Sequence, residues 1–391
     1  TYKGGALHGK AQNNILEEAN TVQAFMISSL LSGNKEVAAL IPVKNLTAEY
    51  LYKCTIDVLK LLEGCGYKVL CLISDNNRVN RNMFTKVRGG TLQSSIEHPC
   101  ASDRRLYFLF DTVHLLKCIR NNWLGQIDQT FNAPGFASDS SMCAKLAHLK
   151  QLYDAEKNNI VKLAPGLTHK ALFPTNMERQ NVNLVLKIFN EKTISALRHY
   201  GEQHHIDVSG TVNFLSAILH MWNVLNVKST DKGIRKRDES SDPIRSVDCQ
   251  NVQYLAKISE WLAKWDNLQL TVRHGTLSAE TMFALRHTVS TLLDIIPHLL
   301  NDMKLCYVLT GKFQTDNLEF RFGQYRQLSG SAYRVSVQQV KESEKKLKIV
   351  SLLHVLSASK GKLELSNFLS ACNDRDVEFN QDESVGTLLP C

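Results

Sequence analysis

Two apolar runs in this chain each end in an aspartate. Val69-Leu70-Cys71-Leu72-Ile73-Ser74 runs into Asp75 and the polar Asn76-Asn77, and Leu106 to Phe110 runs into Asp111, with His114 three residues on. Short apolar runs of this kind suit strands buried in an open α/β sheet, whose ligand sites lie at the carboxyl ends of the strands. Two carboxylates at adjacent strand ends suit Mg²⁺, which takes one or two carboxylates together with phosphate oxygens. A plainer role fits equally well, because Asp is a preferred cap and each would cap the helix that follows it. A third acidic position, Glu319, lies in Thr315-Asp316-Asn317-Leu318-Glu319. Leu318, Phe322 and Tyr325 share a helical face, which sets Glu319 beside the buried stripe. Here the plain alternative is a helix start with Asp316 capping and Glu319 completing an acidic capping pair. The spacing Gly4 to Lys10 imitates a phosphate loop, but Ala11 replaces the Ser or Thr that would hold magnesium, and no strand precedes it.

The elements that must position these groups follow from the pattern. Val22 to Leu31 and Glu36 to Pro42 read as neighbouring strands joined at Ser32-Gly33-Asn34. Thr47 caps a helix with Leu51, Thr55, Val58 and Leu62 on one face, and Gly64 stands at its end. Tyr67 to Ile73 and Leu106 to Phe110 are the parallel strands, and His114 to Leu124 is a helix. From 125 to 305 the texture turns helical, clearest over Asn181 to Phe189, Gly210 to Leu225, Gln253 to Leu262 and Leu277 to Ile296, and reads as an all-α insertion. Within it, Lys228 to Pro243 gathers Lys232, Arg235, Lys236 and Arg237 and reads as an exposed loop, a solvated charge run or a DNA-facing one. Helices over Gly311 to Gly330 and Val337 to Leu356 close the fold, and an acidic tail, 371–391, is expected to be disordered.

With 391 residues, 43% apolar and 21% charged, the chain has the makeup of a packed protein of two or three domains rather than a disordered one. The uncharged stretch Asn20 to Gly33 is too short and polar for a bilayer, and no membrane association is expected. The net charge of +8 is compatible with a polyanion partner. Ten cysteines without a Cys-x-x-Cys pair read as buried free thiols in a reducing compartment, not as a zinc site. The N-terminus has neither a start Met nor a signal peptide, so the sequence reads as cut from something longer.

An ordered set of strings resembles the transposase core of the P-element family, related to THAP-type transposases. These are Tyr2-Lys3-Gly4-Gly5, Ser74-Asp75-Asn76-Asn77, Phe110-Asp111-Thr112-Val113-His114-Leu115-Leu116-Lys117 with Arg120-Asn121-Asn122, Trp222-Asn223-Val224-Leu225-Asn226, and Thr315-Asp316-Asn317-Leu318-Glu319. The resemblance implies an α/β RNase H-like sheet with its first strand missing, interrupted by a large all-α insertion domain of the GTP-binding type. The expected parts are 1–124, the N-terminal RNase H-like part; 125–305, the insertion; 306–370, the C-terminal RNase H-like part; and 371–391, the tail. It implies DNA cutting and joining by Asp-Asp-Glu chemistry with two Mg²⁺ or Mn²⁺ ions, Asp75 and Glu319 being catalytic and metal-binding and Asp111 and His114 positioning. The family's first catalytic Asp precedes the opening string, so this chain alone is expected to be inactive.

For GTP, the resemblance points to Asp316 as a carboxylate for the guanine edge, to Asn223 where many relatives have Asp, and to Lys157 or Lys162 for phosphate. Arg78 and Arg81, with Lys86 and Arg88, are candidates to line a DNA channel or an ordinary solvated helix. DNA as partner, homo-oligomerisation of the full-length protein and a nuclear location are implied. The competing expectation is a domesticated relative that binds DNA or nucleotide without cleaving. A GTPase is disfavoured, since nothing is placed to activate water against a γ-phosphate.

Overall fold

The computed structural model describes residues 2–3, 6–7, 9–87, 89, 93–136, 141–269, 274–331 and 334–360. Arg88, the tail 371–391 and part of the Gly4 to Lys10 string lie outside the described residues.

The chain opens with two short paired strands, β1 (Tyr2–Lys3) and β2 (Ala6–Leu7). The expected hairpin follows as β3 (Thr21–Ser28) and β4 (Lys35–Val43), antiparallel, with a register shift between Phe25 and Met26. Helix α1 (Ala48–Gly64) starts where the sequence places it, for the Thr47 hydroxyl accepts from the Tyr50 N–H at 3.2 Å, and Leu51, Val58, Leu59 and Leu62 are buried. Then come β5 (Cys71–Ser74), α2 (Arg78–Val87), β6 (Ser95–His98), β7 (Ala101–Phe110) and α3 (Thr112–Gly125). The strands form a sheet of order β5-β7-β6, β5 parallel to β7 and β6 antiparallel to it. The run Leu106 to Phe110 is fully buried in the middle of that sheet, as an apolar run with covered faces should be. β5 is only half-buried because, among the described residues, it pairs with β7 alone.

The expectation of an all-helical stretch over 125–305 is corrected at one place. β8 (Thr130–Pro134) and β9 (Ser141–Lys145) form an antiparallel hairpin. Its period is two: Phe131 and Ala133 are buried about exposed Asn132, and Met142 and Ala144 alternate with exposed Ser141, Cys143 and Lys145. Indole N–H groups fix it, those of Trp123, Trp261 and Trp265 donating to the carbonyls of Ala144, Pro134 and Asn132 at 3.2, 2.8 and 2.9 Å. The remaining elements are helical: α4 (Leu146–Glu156), α5 (His169–Leu172), α6 (Val182–Leu186), α7 (Glu191–His204), α8 (Ser209–Leu225), α9 (Lys232–Lys236), α10 (Gln250–Gln269) and α11 (Ala279–Pro297). Last come α12 (Asp316–Leu328) and α13 (Val337–Lys360).

Two further expectations change. The basic stretch after Lys228 is not a plain loop, since it winds into α9 and a 3-10 turn at Glu239–Ser241. None of the eight described cysteines is in a disulfide, but only Cys54 is buried, while Cys65, Cys100, Cys143 and Cys306 are exposed. Among the described residues no helix is long and apolar enough to cross a membrane.

Candidate active site at the strand ends

The two strand-end aspartates, alike in sequence, part company in three dimensions. Asp111 is a helix cap, 1% exposed, and its carboxylate accepts from the N–H groups of Val113 at 3.4 Å and His114 at 3.0 Å. It also accepts from the Thr315 N–H at 3.3 Å, so one side chain ties the start of α3 to the start of α12. Burial pushes its pKa up, and the N–H groups of Thr315 and His114 only partly offset this. Asp75 does no capping. The cap of α2 is Asn77, whose side-chain Oδ1 accepts from the Asn80 N–H at 2.8 Å. The Asp75 carboxylate is held instead by side-chain amides, from Asn77 at 2.7 Å and from Asn80.

Glu319 stands on the first turn of α12, and neither it nor Asp316 caps that helix, for the cap position is Thr315 without a side-chain bond. The Lys117 ammonium lies 3.6 Å from the Glu319 carboxylate, the Lys side chain being 9% exposed and the Glu 56%. His114, one turn before Lys117 on α3, lies in the fields of Asp75, Lys117, Asp111 and Glu319, and burial drives its pKa down while the carboxylates oppose this. Asp75 and Glu319 therefore converge on the face of α3 that carries His114 and Lys117. Two carboxylates offer hard oxygen for a divalent cation. Among the described residues no group of three His, Cys, Asp or Glu side chains is close enough to hold one, so the donors fit part of a two-metal site. Lys117 had no role in the sequence reading; its burial is what singles it out.

The segment that delivers Glu319 is gripped by the end of α8. The Thr310 hydroxyl donates to the Val224 carbonyl at 2.5 Å and accepts from the Val227 N–H at 3.3 Å, and the Gly311 N–H donates to the Val227 carbonyl at 2.8 Å. A Cβ at Gly311 would stand 2.9 Å from that carbonyl oxygen, which is why the position is Gly. The Gln314 amide donates to Thr112 at 2.8 Å and to the Leu225 carbonyl at 3.3 Å.

Around this grip lie two of the four residues proposed for nucleotide. Asp316 is paired with Lys228. The Asn223 amide donates to Asp238 at 3.0 Å, and Asp238 also accepts from the N–H and hydroxyl of Ser240 and the hydroxyl of Ser241. Burial raises the Asp238 pKa, but those donors outweigh it and leave the carboxyl below the usual range. An Asp at 223 would face that carboxylate directly, so Asn is the residue that fits. Lys232 donates to the Asn226 carbonyl, and burial, with Lys236 and Lys228 near, lowers its pKa to about 8. Lys157 pairs with Asp154 at 2.9 Å and Lys162 donates to the Lys157 carbonyl at 2.9 Å; among the described residues neither bonds to Asn223 or Asp316. The cation beside Asp316 is Lys228, and Lys232 lies near Lys228 at the end of α8. Buried acceptors without donors, Asn226 Oδ1 and Gln314 Oε1, lie at the same place and fit a ligand edge rich in N–H.

Of the proposed DNA contacts, Arg78 is exposed on the first turn of α2. Arg81 is half-buried and donates to the Asn76 carbonyl at 2.8 Å and to its side-chain oxygen at 3.1 Å, so it braces the loop after Asp75. Lys86 pairs with Glu49 at 2.5 Å.

Comparison with known proteins gives a consistent picture. The TNP-like RNase H N-terminal domain matches residues 3–88, and the TNP-like GTP-binding insertion domain matches residues 113–237, together more than half of the chain. The chain is similar to the Transposable element P transposase of Drosophila melanogaster, 22% identical over 282 residues, covering 70% of this chain and 34% of the relative. It is also similar to DNA transposase THAP9 of Homo sapiens, 24% identical over 187 residues, covering 44% of this chain and 19% of the relative. The matched part thus spans about a third or less of these relatives' own length. A solved structure, the Drosophila P element transposase strand transfer complex, matches with a TM-score of 0.71 at 18% identity, over 88% of this chain and 73% of that one. It has the same fold, an RNase H-like domain with an insertion.

Proposed function

Because this chain belongs to the P-element-like transposase family, we propose that it is the core of an enzyme that cuts and joins DNA, with Asp75 and Glu319 as two of three catalytic carboxylates. The single observation that carries this reading is their convergence on α3. They come from opposite sides of the insertion, and capping alone gives no reason for both to act on His114. Divalent cations, Mg²⁺ or Mn²⁺, when bound there supply charge stabilisation for the attacking and leaving oxygens of a phosphodiester displacement. The chain's own part is to orient. Asn77 and Asn80 aim Asp75, Asp111 joins α3 to α12, and Thr310 and Gln314 lock the segment before Glu319 onto the insertion. The third carboxylate belongs to a further strand. Among the described residues β3 pairs with β4 alone and β5 with β7 alone, so one strand between them would join the two sheets and end beside Asp75.

The nucleotide reading places GTP against the grip between α8 and α12. Asp316, Asn226 and Gln314 offer acceptors to the guanine edge, and Lys228 and Lys232 offer cations to phosphate. Binding there would require Lys228 to leave Asp316. DNA ends and target are the partners, Arg78 an exposed phosphate contact, the full-length protein a homo-oligomer, and the nucleus its place of work. The alternative is a domesticated relative that binds DNA or nucleotide without cleaving.

The test is Mg²⁺-dependent nicking of labelled DNA by the full-length protein, beside Asp75→Asn and Glu319→Gln. Nicking is expected to fall at least about a hundredfold in each, as for removal of a group that stabilises transition-state charge. Nicking that survives Glu319→Gln refutes the assignment, and a folded, DNA-binding protein that never nicks establishes the alternative.

A further inference from the structure

Among the described residues, a buried charge on α3 has no counter-charge. Arg120, on α3 three residues past Lys117, is 0% exposed. One of its amino groups donates to the Arg179 carbonyl at 2.9 Å, but its Nε and its Nη1 are buried without a partner among the described residues. Arg179 brings a second guanidinium to the same place, with its own Nε also buried and unpartnered. Burial, and then the positive charge of Arg179, lower the Arg120 pKa to about 10, and no carboxylate acts against either effect. An unpaired buried ion costs several kcal/mol, and a guanidinium is a planar fork made for oxyanions. Between the two arginines, Asn121 donates to the Arg179 carbonyl at 3.3 Å and keeps its Oδ1 buried without a donor.

We infer that Arg120, Arg179 and Asn121 form a binding site for a phosphate monoester or hydrogen phosphate. The orphaned N–H groups of the two arginines donate to its oxygens. The Asn121 Oδ1 accepts from its P–OH, a proton that a backbone phosphodiester of DNA lacks and that a terminal phosphate carries near neutral pH. Arg179 is half-buried, so the anion enters past it. The inference rests on these unpaired groups and holds whether or not the chain cleaves DNA.

The experiment is thermal melting and calorimetric titration of the protein with inorganic phosphate, pyrophosphate, sulfate and a duplex oligonucleotide at matched ionic strength. Phosphate or pyrophosphate at about a hundred times its dissociation constant should raise the midpoint by about 3 °C or more. Sulfate, which has no proton at pH 7, should bind at least about tenfold more weakly than phosphate for want of the Asn121 bond. Arg179→Gln, at a half-buried position that tolerates the change, should weaken phosphate at least about tenfold, and Arg120→Met should abolish the shift while leaving the unliganded protein as stable or more so. Phosphate acting no better than chloride, or acting undiminished on Arg179→Gln, overturns the site. Sulfate matching phosphate overturns the Asn121 assignment, and a shift from the oligonucleotide alone overturns the monoester in favour of DNA backbone.

Discussion

Replacing Asp111 by Ala should loosen two segments far apart in sequence at once. The carboxylate accepts three backbone N–H groups, of Val113, His114 and Thr315. A lost cap costs about 1 kcal/mol. A buried N–H left without an acceptor costs about 1–3 kcal/mol more, and relief of the buried charge returns part of this. The net expectation is a loss of about 3 kcal/mol, which is roughly a hundredfold in an opening equilibrium. Asp111→Asn keeps an oxygen for one side of the network and should lose about 1 kcal/mol, Asn being nearly as good a cap. Amide hydrogen exchange of residues 112–116 and 315–320 is the assay. It should accelerate about a hundredfold in both segments in the Ala variant. The pH dependence has a definite sign. Burial raises the folded pKa above the ordinary 3.8, so the contribution of Asp111 to stability is fully present below 3.8 and is lost as pH rises through the raised value. Asn does not titrate, so it should gain on wild type over that window. Acceleration confined to 112–116 would refute the bridge to α12, and Ala within about 0.5 kcal/mol of wild type would refute the ledger of bonds.

Lys117→Met removes the cation 3.6 Å from Glu319 and should tighten Mn²⁺ binding, read by electron paramagnetic resonance, about three- to tenfold, while a weaker site would mean Lys117 supports the carboxylate's placement instead. Gly210→Ala would put a Cβ 2.6 Å from the Cys143 carbonyl oxygen, a backbone atom that cannot move aside, and should cost about 1–3 kcal/mol in urea unfolding. Asn223→Asp sets a second carboxylate against Asp238, so its melting temperature should drop at pH 7 and recover toward pH 4, whereas Asn223→Ala should show no such recovery. Lys232, lowered to about 8, is bound to a proton more weakly in the folded state than in the unfolded one, so wild type should gain stability relative to Lys232→Met as pH rises from about 8 toward 10.5, measured by urea midpoints.

The local elements were legible because local chemistry decides them. Thr47 caps α1, the alternation of β3 and β4 makes a hairpin, and the apolar run before Asp111 is the buried centre of the sheet. The β8–β9 hairpin was not, because five-residue strands among long helices carry too few residues to reveal a period, and indole bonds from α3 and the distant α10 hold them. Cysteines inside apolar runs gave no measure of exposure, since a strand or helix has two sides and only packing chooses which is covered.

By itself the sequence determined the kinds of group present: strand-end carboxylates, a late glutamate, a helical stretch between them and a string of motifs shared with a family. The strand-end pattern alone could not tell Asp75 from Asp111, since both follow an apolar run and precede a helix, and the resemblance assigned them different roles without a geometric reason. The tertiary structure supplies that reason, because α12 returns to place Thr315 on Asp111 and Glu319 against Lys117. The same return sets Lys228, rather than Lys157 or Lys162, beside Asp316. Hydrogen bonds and ion pairs act over a few ångströms, and which residues come that close across hundreds of positions is settled by the packing of whole elements.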